Sequence, residues 1–332
     1  MTQRRITVAG AGILGLWQAL TLARHGHRVR LIEQSAKPFQ LAASIHAGAM
    51  LSPGCEGEAA PAIVSELGAR GLDLWRAAYA GVISNGSLVI ASSRDQPDLT
   101  RFEKLTHGSQ RLTAQDIAAL EPDLGDRFPA GLFFPHEAHV VTPDTLTALL
   151  SDIYASGVEV KWGERLSPVH TDGLIVDCRG MGARDDLPTL RGVRGERILV
   201  RARDVTLSRP VRLLHPRHPL YVVPWAAGLY LIGATMIESE DSGPVTVRSA
   251  LELLGAAYAI HPGFGEAEIL EMAAGVRPAF PDNVPRIMVK EDGRHLFVNG
   301  AYRHGFLLAP VLAEAAAAFI QDGARHPLLV SE

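Results

Sequence analysis

The sequence predicts α/β plus α+β architecture: a discontinuous Rossmann-like dinucleotide-binding domain with an inserted, mainly antiparallel β-sheet domain. Three observations predict it. The chain opens on a strand, a glycine-rich turn, a helix and a second strand; its middle is rich in short strands; and it closes on a strand, a glycine turn and a helix. A last helix that packs back on the first unit makes the nucleotide domain discontinuous. The expected segments are 1–85, 140–190 and 270–332 for that domain, and 86–139 and 191–269 for the sheet domain.

In the opening unit, residues 6–9 read as a buried strand, about 14–25 as a helix and 28–32 as the second strand. Between strand and helix stands G-x-G-x-x-G. Gly10 permits the tight turn, Gly12 lets a pyrophosphate approach the backbone, and Gly15 lets helix and strand pack closely. The helix N-terminus offers unpaired N–H groups and the positive end of its dipole to phosphates. Glu33 ends the second strand eighteen positions after Gly15, where an acid binds ribose hydroxyls. The glycine motif alone is a weak signal. With both strands, the helix and the terminal acid, it reads as a dinucleotide site rather than a bare turn.

Residues 34–51 are rich in Ala, Ser and Gly, small enough to lie against a flat or charged ligand, although a surface loop has the same composition. Ile63, Leu67, Leu72 and Trp75 recur at helical spacing and predict a helix over 62–79. A strand at 88–91 and a helix at 113–120 follow, the helix capped by Thr113 with Asp116 three positions on. Residues 131–135 read as a strand. Thr142, as N-cap before Pro143, opens a helix to about 156, and 158–162 is the next strand. The apolar run 173–177 ends in a second glycine-rich turn, 178–182. Strands are expected at 197–200, 205–207, 220–223 and 229–232, with the alternation of antiparallel sheet. A helix over 247–259 places Leu251, Leu254 and Ala257 on one side. A strand at 295–298, a turn at 299–305 and a helix at 307–321 close the chain.

Composition narrows the function classes. A formal charge of −4 offers no basic surface for nucleic acid and no polybasic membrane anchor. The apolar stretch 306–320 contains Pro310 and Glu314 and is too short to span a bilayer. The first strand starts too early for a signal peptide. Cys55 and Cys178 make neither a disulfide framework nor a zinc quartet, so a cytoplasmic location is expected. The histidine pairs His136/His139 and His215/His218 sit beside prolines without further ligands, and no metal is expected. Cys55 reads as a small packed hydrophobe more readily than as a reactive thiol.

Two arginines stand out. Arg277 precedes Pro278, and Arg303 sits in the glycine-flanked turn before the last helix. An Arg held among Gly and Pro in apolar surroundings needs an anion, and its planar fork suits a carboxylate; a salt bridge to one of the chain's own acids is the alternative. The 299–305 turn, leading into a helix, is a second cradle of backbone N–H groups.

At these residues the chain resembles the D-amino-acid oxidase superfamily of flavoproteins and, within it, the glycine oxidases of thiamine biosynthesis. Four motifs carry the resemblance from end to end. They are Gly10-Ala11-Gly12-Ile13-Leu14-Gly15; Ala43-Ser44 with Ala47-Gly48-Ala49-Met50-Leu51; Tyr221 to Pro224 leading to Gly233-Ala234-Thr235-Met236; and Arg277-Pro278 leading to Arg303-His304-Gly305. The resemblance implies a non-covalent FAD. Gly10, Gly12, Ile13, Leu14, Gly15, Glu33 and Gln34 would hold its ADP half, with Leu166 on the adenine side. Ala43, Ser44, Gly48, Ala49 and Met50 would line the diphosphate and flavin. Ala301, Tyr302, Arg303, His304, Gly305, Phe306 and Leu307 would wrap the pyrimidine end, where an N–H cradle favours the anionic reduced ring. Arg277 would clamp the substrate carboxylate with help from the Tyr221 hydroxyl, with Arg303 near both substrate and flavin and Met236 in the pocket wall. Ala49 stands where the family has Gly, Trp225 where Arg is common, and Ala301 and His304 where His and Asn flank this Arg.

The implied reaction is oxidation of glycine or another small amino acid to its imine, with dioxygen reduced to hydrogen peroxide. The alternatives are sarcosine, a D-amino acid or another amine as substrate, an acceptor other than dioxygen, and a flavin-binding protein without catalysis. A homo-oligomer and hand-over of the imine to a thiazole synthase are compatible with the resemblance.

Overall fold

The computed structural model describes residues 3–167, 171–215, 220–226 and 228–331. The opening unit forms as β1 (Arg5–Ala9), α1 (Ile13–Arg24) and β2 (Arg28–Glu33). Next come β3 (Met50–Leu51), α2 (Pro53–Glu56) and α3 (Ala62–Ala78), then β4 (Ser87–Ala91), α4 (Gln96–Leu105) and β5 (Gln110–Thr113). In α5 (Ala114–Leu120) the expected capping box is complete, with Thr113 and Asp116 bonding each other's backbone N–H. β6 (Ala130–Phe134) and β7 (Ala138–His139) precede α6 (Thr142–Ala155), β8 (Glu159–Trp162) and β9 (Leu174–Asp177). Val141, not Thr142, is the N-cap of α6; the Thr142 hydroxyl instead donates to the Ala47 carbonyl at 2.7 Å and fastens the small-residue loop.

The middle of the chain holds β10 (Arg191–Arg201), β11 (Val211–Leu214), β12 (Leu220–Pro224), β13 (Leu229–Gly233), β14 (Ile237–Glu238) and α7 (Val247–Ile260). No strand forms at 205–207. That segment is pinned by Tyr230, whose hydroxyl donates to the Val205 carbonyl at 2.6 Å and accepts the Leu207 N–H at 3.1 Å. On α7 the buried face is Leu253, Ala257 and Ile260, while Leu251 is exposed. The chain ends with β15 (Glu268–Ala279), β16 (Arg286–Val289), β17 (His295–Asn299), α8 (Gly305–Asp322) and β18 (Leu329–Ser331). The twelve-residue β15 has no sequence signal, because its first five residues are all exposed and show no alternation. The domain boundary expected at 270 falls inside it.

Two sheets carry the architecture. The seven-stranded sheet runs β18-β16-β17-β9-β1-β2-β8. Its parallel part, β8-β2-β1-β9-β17, has the 3-2-1-4-5 order of dinucleotide-binding sheets, so the crevice for a ligand opens at the C-terminal ends of β1 and β9. The second sheet has nine strands, β14-β10-β13-β12-β11-β4-β6-β5, with β15 antiparallel to β10. Among its named strands, only β4 and β11 pair in parallel. A two-stranded ribbon joins β3 to β7.

The main core lies between the seven-stranded sheet and α1, α3, α6 and α8. By length and composition α8 could cross a bilayer, and at eighteen residues it is longer than the stretch expected. Its faces, however, pack on α1 and α3, and the Gln18 amide donates to the Leu312 carbonyl at 3.0 Å.

Candidate active site

One cavity of about 710 Å³ runs from the end of β1 to the inner face of the nine-stranded sheet. At its first end the turn is shaped by glycine. Gly10 has φ +96°, and a Cβ there would lie 2.7 Å from the Cys178 carbonyl oxygen; one on Gly15 would lie 1.8 Å from the Gly10 carbonyl oxygen. Gly12, the N-cap of α1, brings no side chain to the helix end. The Ile13 N–H donates to Ser44 Oγ and the Ala11 N–H to Glu33 Oε2, both at 2.9 Å, which ties the 43–44 loop and the acid to this turn. The second glycine turn, 178–182, lies alongside, held to β17 by the Asn299 amide donating to the Gly180 carbonyl at 3.0 Å.

At mid-cavity the backbone takes unusual conformations at two non-glycine residues, Ala49 (φ +48°) and Tyr302 (φ +49°). The left-handed conformation at Ala49 gives the physical reason why Gly suits that position. Gly48 clears space for Tyr221: its missing Cβ would meet a Tyr221 ring carbon at 2.7 Å. α8 begins at Gly305 without a side-chain cap, which leaves its first N–H groups without a side-chain acceptor, and the cavity wall includes Ala301, Tyr302, Arg303, Gly305 and Phe306.

The far end is a charged chamber. Arg277, from β15, donates to the Thr235 carbonyl at 3.1 Å, and among the described residues no carboxylate lies within 4 Å of it. Arg303 pairs with Glu56 at 2.8 Å, and Arg212 of β11 stands 3.7 Å from the same carboxylate. Burial opposes ionisation of Glu56, but Arg303, His304 once it is protonated in acid, and Arg212 outweigh it and hold its pKa at about 2. His304 Nδ1 lies 3.3 Å from Glu56, yet burial keeps this imidazole down to about 4, so it is neutral at pH 7. Burial raises the Tyr221 phenol, which stays protonated although Arg277, Arg212 and Arg303 pull the other way.

Nearly all the site residues expected from the sequence line this one cavity, including Gln34, Met50, Leu166 and Met236. Three do not. Gly15 serves the packing of α1; His304 sits behind the wall against Glu56; and Leu307 turns into the core, where it fills the space left by Gly68 and Gly71 of α3. Glu56, Arg212 and His46 also line the cavity and were not expected. The only signal for Glu56 was that an arginine such as Arg303, held in apolar surroundings, needs an anion. The thiol of Cys55 is buried and burial raises its pKa, as for a packed hydrophobe. His139 is buried with Nε2 3.1 Å from the Pro224 carbonyl oxygen; His218 lies outside the described residues.

Comparison with known proteins gives the same picture. The model of the FAD dependent oxidoreductase (DAO) family matches residues 5–319. A candidate thiamine biosynthesis oxidoreductase, ThiO, of Rhizobium etli is 50% identical over 310 residues, 93% of this chain and 94% of that one. The glycine oxidase of Geobacillus kaustophilus is 26% identical, over 94% of this chain and 91% of that one. Among solved structures, glycine oxidase from Bacillus cereus superposes with a TM-score of 0.82 at 23% identity, over 97% of this chain and 96% of that one. The cradle a Cβ would fill at Gly10, the uncapped ends of α1 and α8, and Glu33 at the end of β2 fit the phosphates, isoalloxazine and ribose of such a cofactor. The chain belongs to the FAD-dependent oxidoreductase family and is a glycine-oxidase-like flavoenzyme.

Proposed function

We propose that this enzyme oxidises glycine, or another small amino acid, to the imine, with dioxygen as the final acceptor and hydrogen peroxide as the second product. One observation carries the reading: Arg277 enters the cavity with no carboxylate of the chain within 4 Å, among the described residues. A half-buried guanidinium in that position binds a carboxylate as a forked pair. Tyr221, cleared by Gly48 and protonated at neutral pH, supplies an O–H beside it. Bound FAD supplies a two-electron acceptor for the substrate Cα–H.

The protein's part is then orientation. Arg277 fixes the carboxylate, and Met236 and Tyr302 bound the outer wall, where the Tyr302 hydroxyl lies 3.4 Å from Met236 Sδ. Glu56, with a pKa of about 2, is too weak a base to draw a proton from the amine. An amine that arrives neutral needs no base, so positioning dominates the rate. The name of the Rhizobium etli relative supports a place in thiamine biosynthesis, with the imine passed to a thiazole synthase. Two free, buried cysteines suit a reducing cytoplasm.

The test is the visible spectrum of the purified flavoprotein mixed anaerobically with glycine. Loss of the oxidised-flavin bands, and their return with peroxide on admitting air, is expected. A flavin that stays oxidised refutes the reading. Faster peroxide release with sarcosine or a D-amino acid would move the substrate and leave the chemistry in place.

A further inference from the structure

Three guanidiniums, those of Arg212, Arg277 and Arg303, stand on the cavity wall, and all three bear on the Tyr221 hydroxyl. Among the described residues, Glu56 is the one carboxylate within 4 Å of any of the three. His304 is neutral and adds no charge. Glu56 is not shared evenly. Its Oε2 takes Arg303 at 2.8 Å, its Oε1 is 3.7 Å from Arg212, and it makes no ion pair with Arg277. The Glu56 side chain is 11% exposed, so the pair it forms with Arg303 is desolvated and held.

We propose that Glu56 is a specificity-determining residue that engages Arg303 and shields Arg212, leaves Arg277 as the sole clamp for a carboxylate, and so selects amines carrying one acid group over those carrying two. The proposal rests on the reading of Arg277 as that clamp. A second carboxylate on the substrate meets a carboxylate already in place, and the guanidinium that could receive it is occupied. Without the Glu56 charge the chamber gains a unit of positive charge and a free fork. Coulomb attraction then rises for any acid, and about twice as much for a dianion as for a monoanion.

The experiment titrates the flavin-loaded protein with acetate and with malonate, which carry one and two carboxylates and are not oxidised. Dissociation constants are read by calorimetry and by the shift in the flavin bands. Glu56→Gln should tighten malonate about tenfold more than acetate, while Glu56→Asp keeps the wild-type ratio. The double variant Glu56→Gln/Arg303→Gln removes the carboxylate together with the guanidinium nearest to it, leaves Arg212 without Glu56, and should bind acetate within about threefold of wild type. An E56Q ratio within about twofold of wild type overturns the proposal. So does a double variant that loses acetate as fully as Arg277→Met. If E56Q does not fold, the double variant carries the test alone. None of these readings uses turnover. A flavin that glycine fails to bleach would sink the proposed reaction and leave the acid ratio standing, whereas a wild-type protein that binds neither acid removes clamp and proposal together.

Discussion

Gly195 lies beneath Arg277: a Cβ at position 195 would fall 2.1 Å from Nη2 of the guanidinium. The two residues sit on the long antiparallel pair β10 and β15, where Gly195 opposes Gly275 and Arg277 opposes Val193. The absence of a side chain at 195 therefore sets where the guanidinium rests. In Gly195→Ala the mobile end of Arg277 swings away rather than the strand breaking. Unfolding free energy should fall by about 1 kcal/mol or less, whereas KM for glycine should rise about tenfold, roughly 1.4 kcal/mol. Steady-state kinetics beside a denaturant melt separates these. A large loss of stability with unchanged KM would contradict the placement.

Removing the guanidinium itself has a larger effect. Arg277→Met keeps the apolar length of the side chain and leaves the substrate carboxylate buried without a partner. The expected loss is about 2–5 kcal/mol in kcat/KM, as for truncating one partner of a desolvated charge pair. Kinetics on glycine and titration with acetate measure the same deficit from two directions. Wild-type affinity for acetate in this variant would exclude Arg277 as the clamp.

The two ends of the cavity differed in how readily the sequence disclosed them. The phosphate end is local: Gly10, Gly12, Gly15 and Glu33 lie within one β1–α1–β2 unit, so spacing alone brings them together. The charged chamber is built from four distant places, Glu56 on α2, Arg212 on β11, Arg277 on β15 and Arg303 before α8. Arg277 and Arg303 could be singled out by their Gly and Pro neighbours. Glu56 and Arg212 could not, because an acid in a Pro-Gly-Cys-Glu turn and an arginine in a short strand look like surface residues until the sheets close over them. The partly exposed β15 was missed for the related reason that its register comes from β10, not from an apolar alternation of its own.

Pro310 inside α8 has no N–H for the carbonyl of Phe306, four residues earlier. Trp75 of α3 answers it: its indole N–H donates to that oxygen at 2.6 Å, and its ring stacks on Phe306. Trp75→Phe keeps an aromatic ring but strands a buried acceptor and leaves a gap. A loss of about 1–3 kcal/mol is expected, read as a lower denaturant midpoint with unchanged slope. Because Phe306 also lines the cavity, flavin should dissociate more readily from this variant. Wild-type stability would mean that the Phe306 carbonyl finds another donor.

Acid should destabilise the fold through buried histidine. His139 is 1% exposed, and burial, against a smaller opposing effect of the Pro224 carbonyl, lowers its pKa to about 4. In the unfolded chain a histidine titrates at about 6.5. Between those values the unfolded form binds a proton that the folded form refuses. The stability His139 contributes is therefore whole above about pH 6.5 and is lost as the pH falls through about 4, at up to roughly 1.4 kcal/mol per pH unit. His304 acts in the same sense, with its pKa also at about 4. In His139→Gln, the slope of unfolding free energy between pH 6 and 5 should be shallower by about one proton, while the His304 contribution persists. Denaturant melts across that range measure the slope. An identical slope in wild type and variant would show that His139 takes up its proton without unfolding.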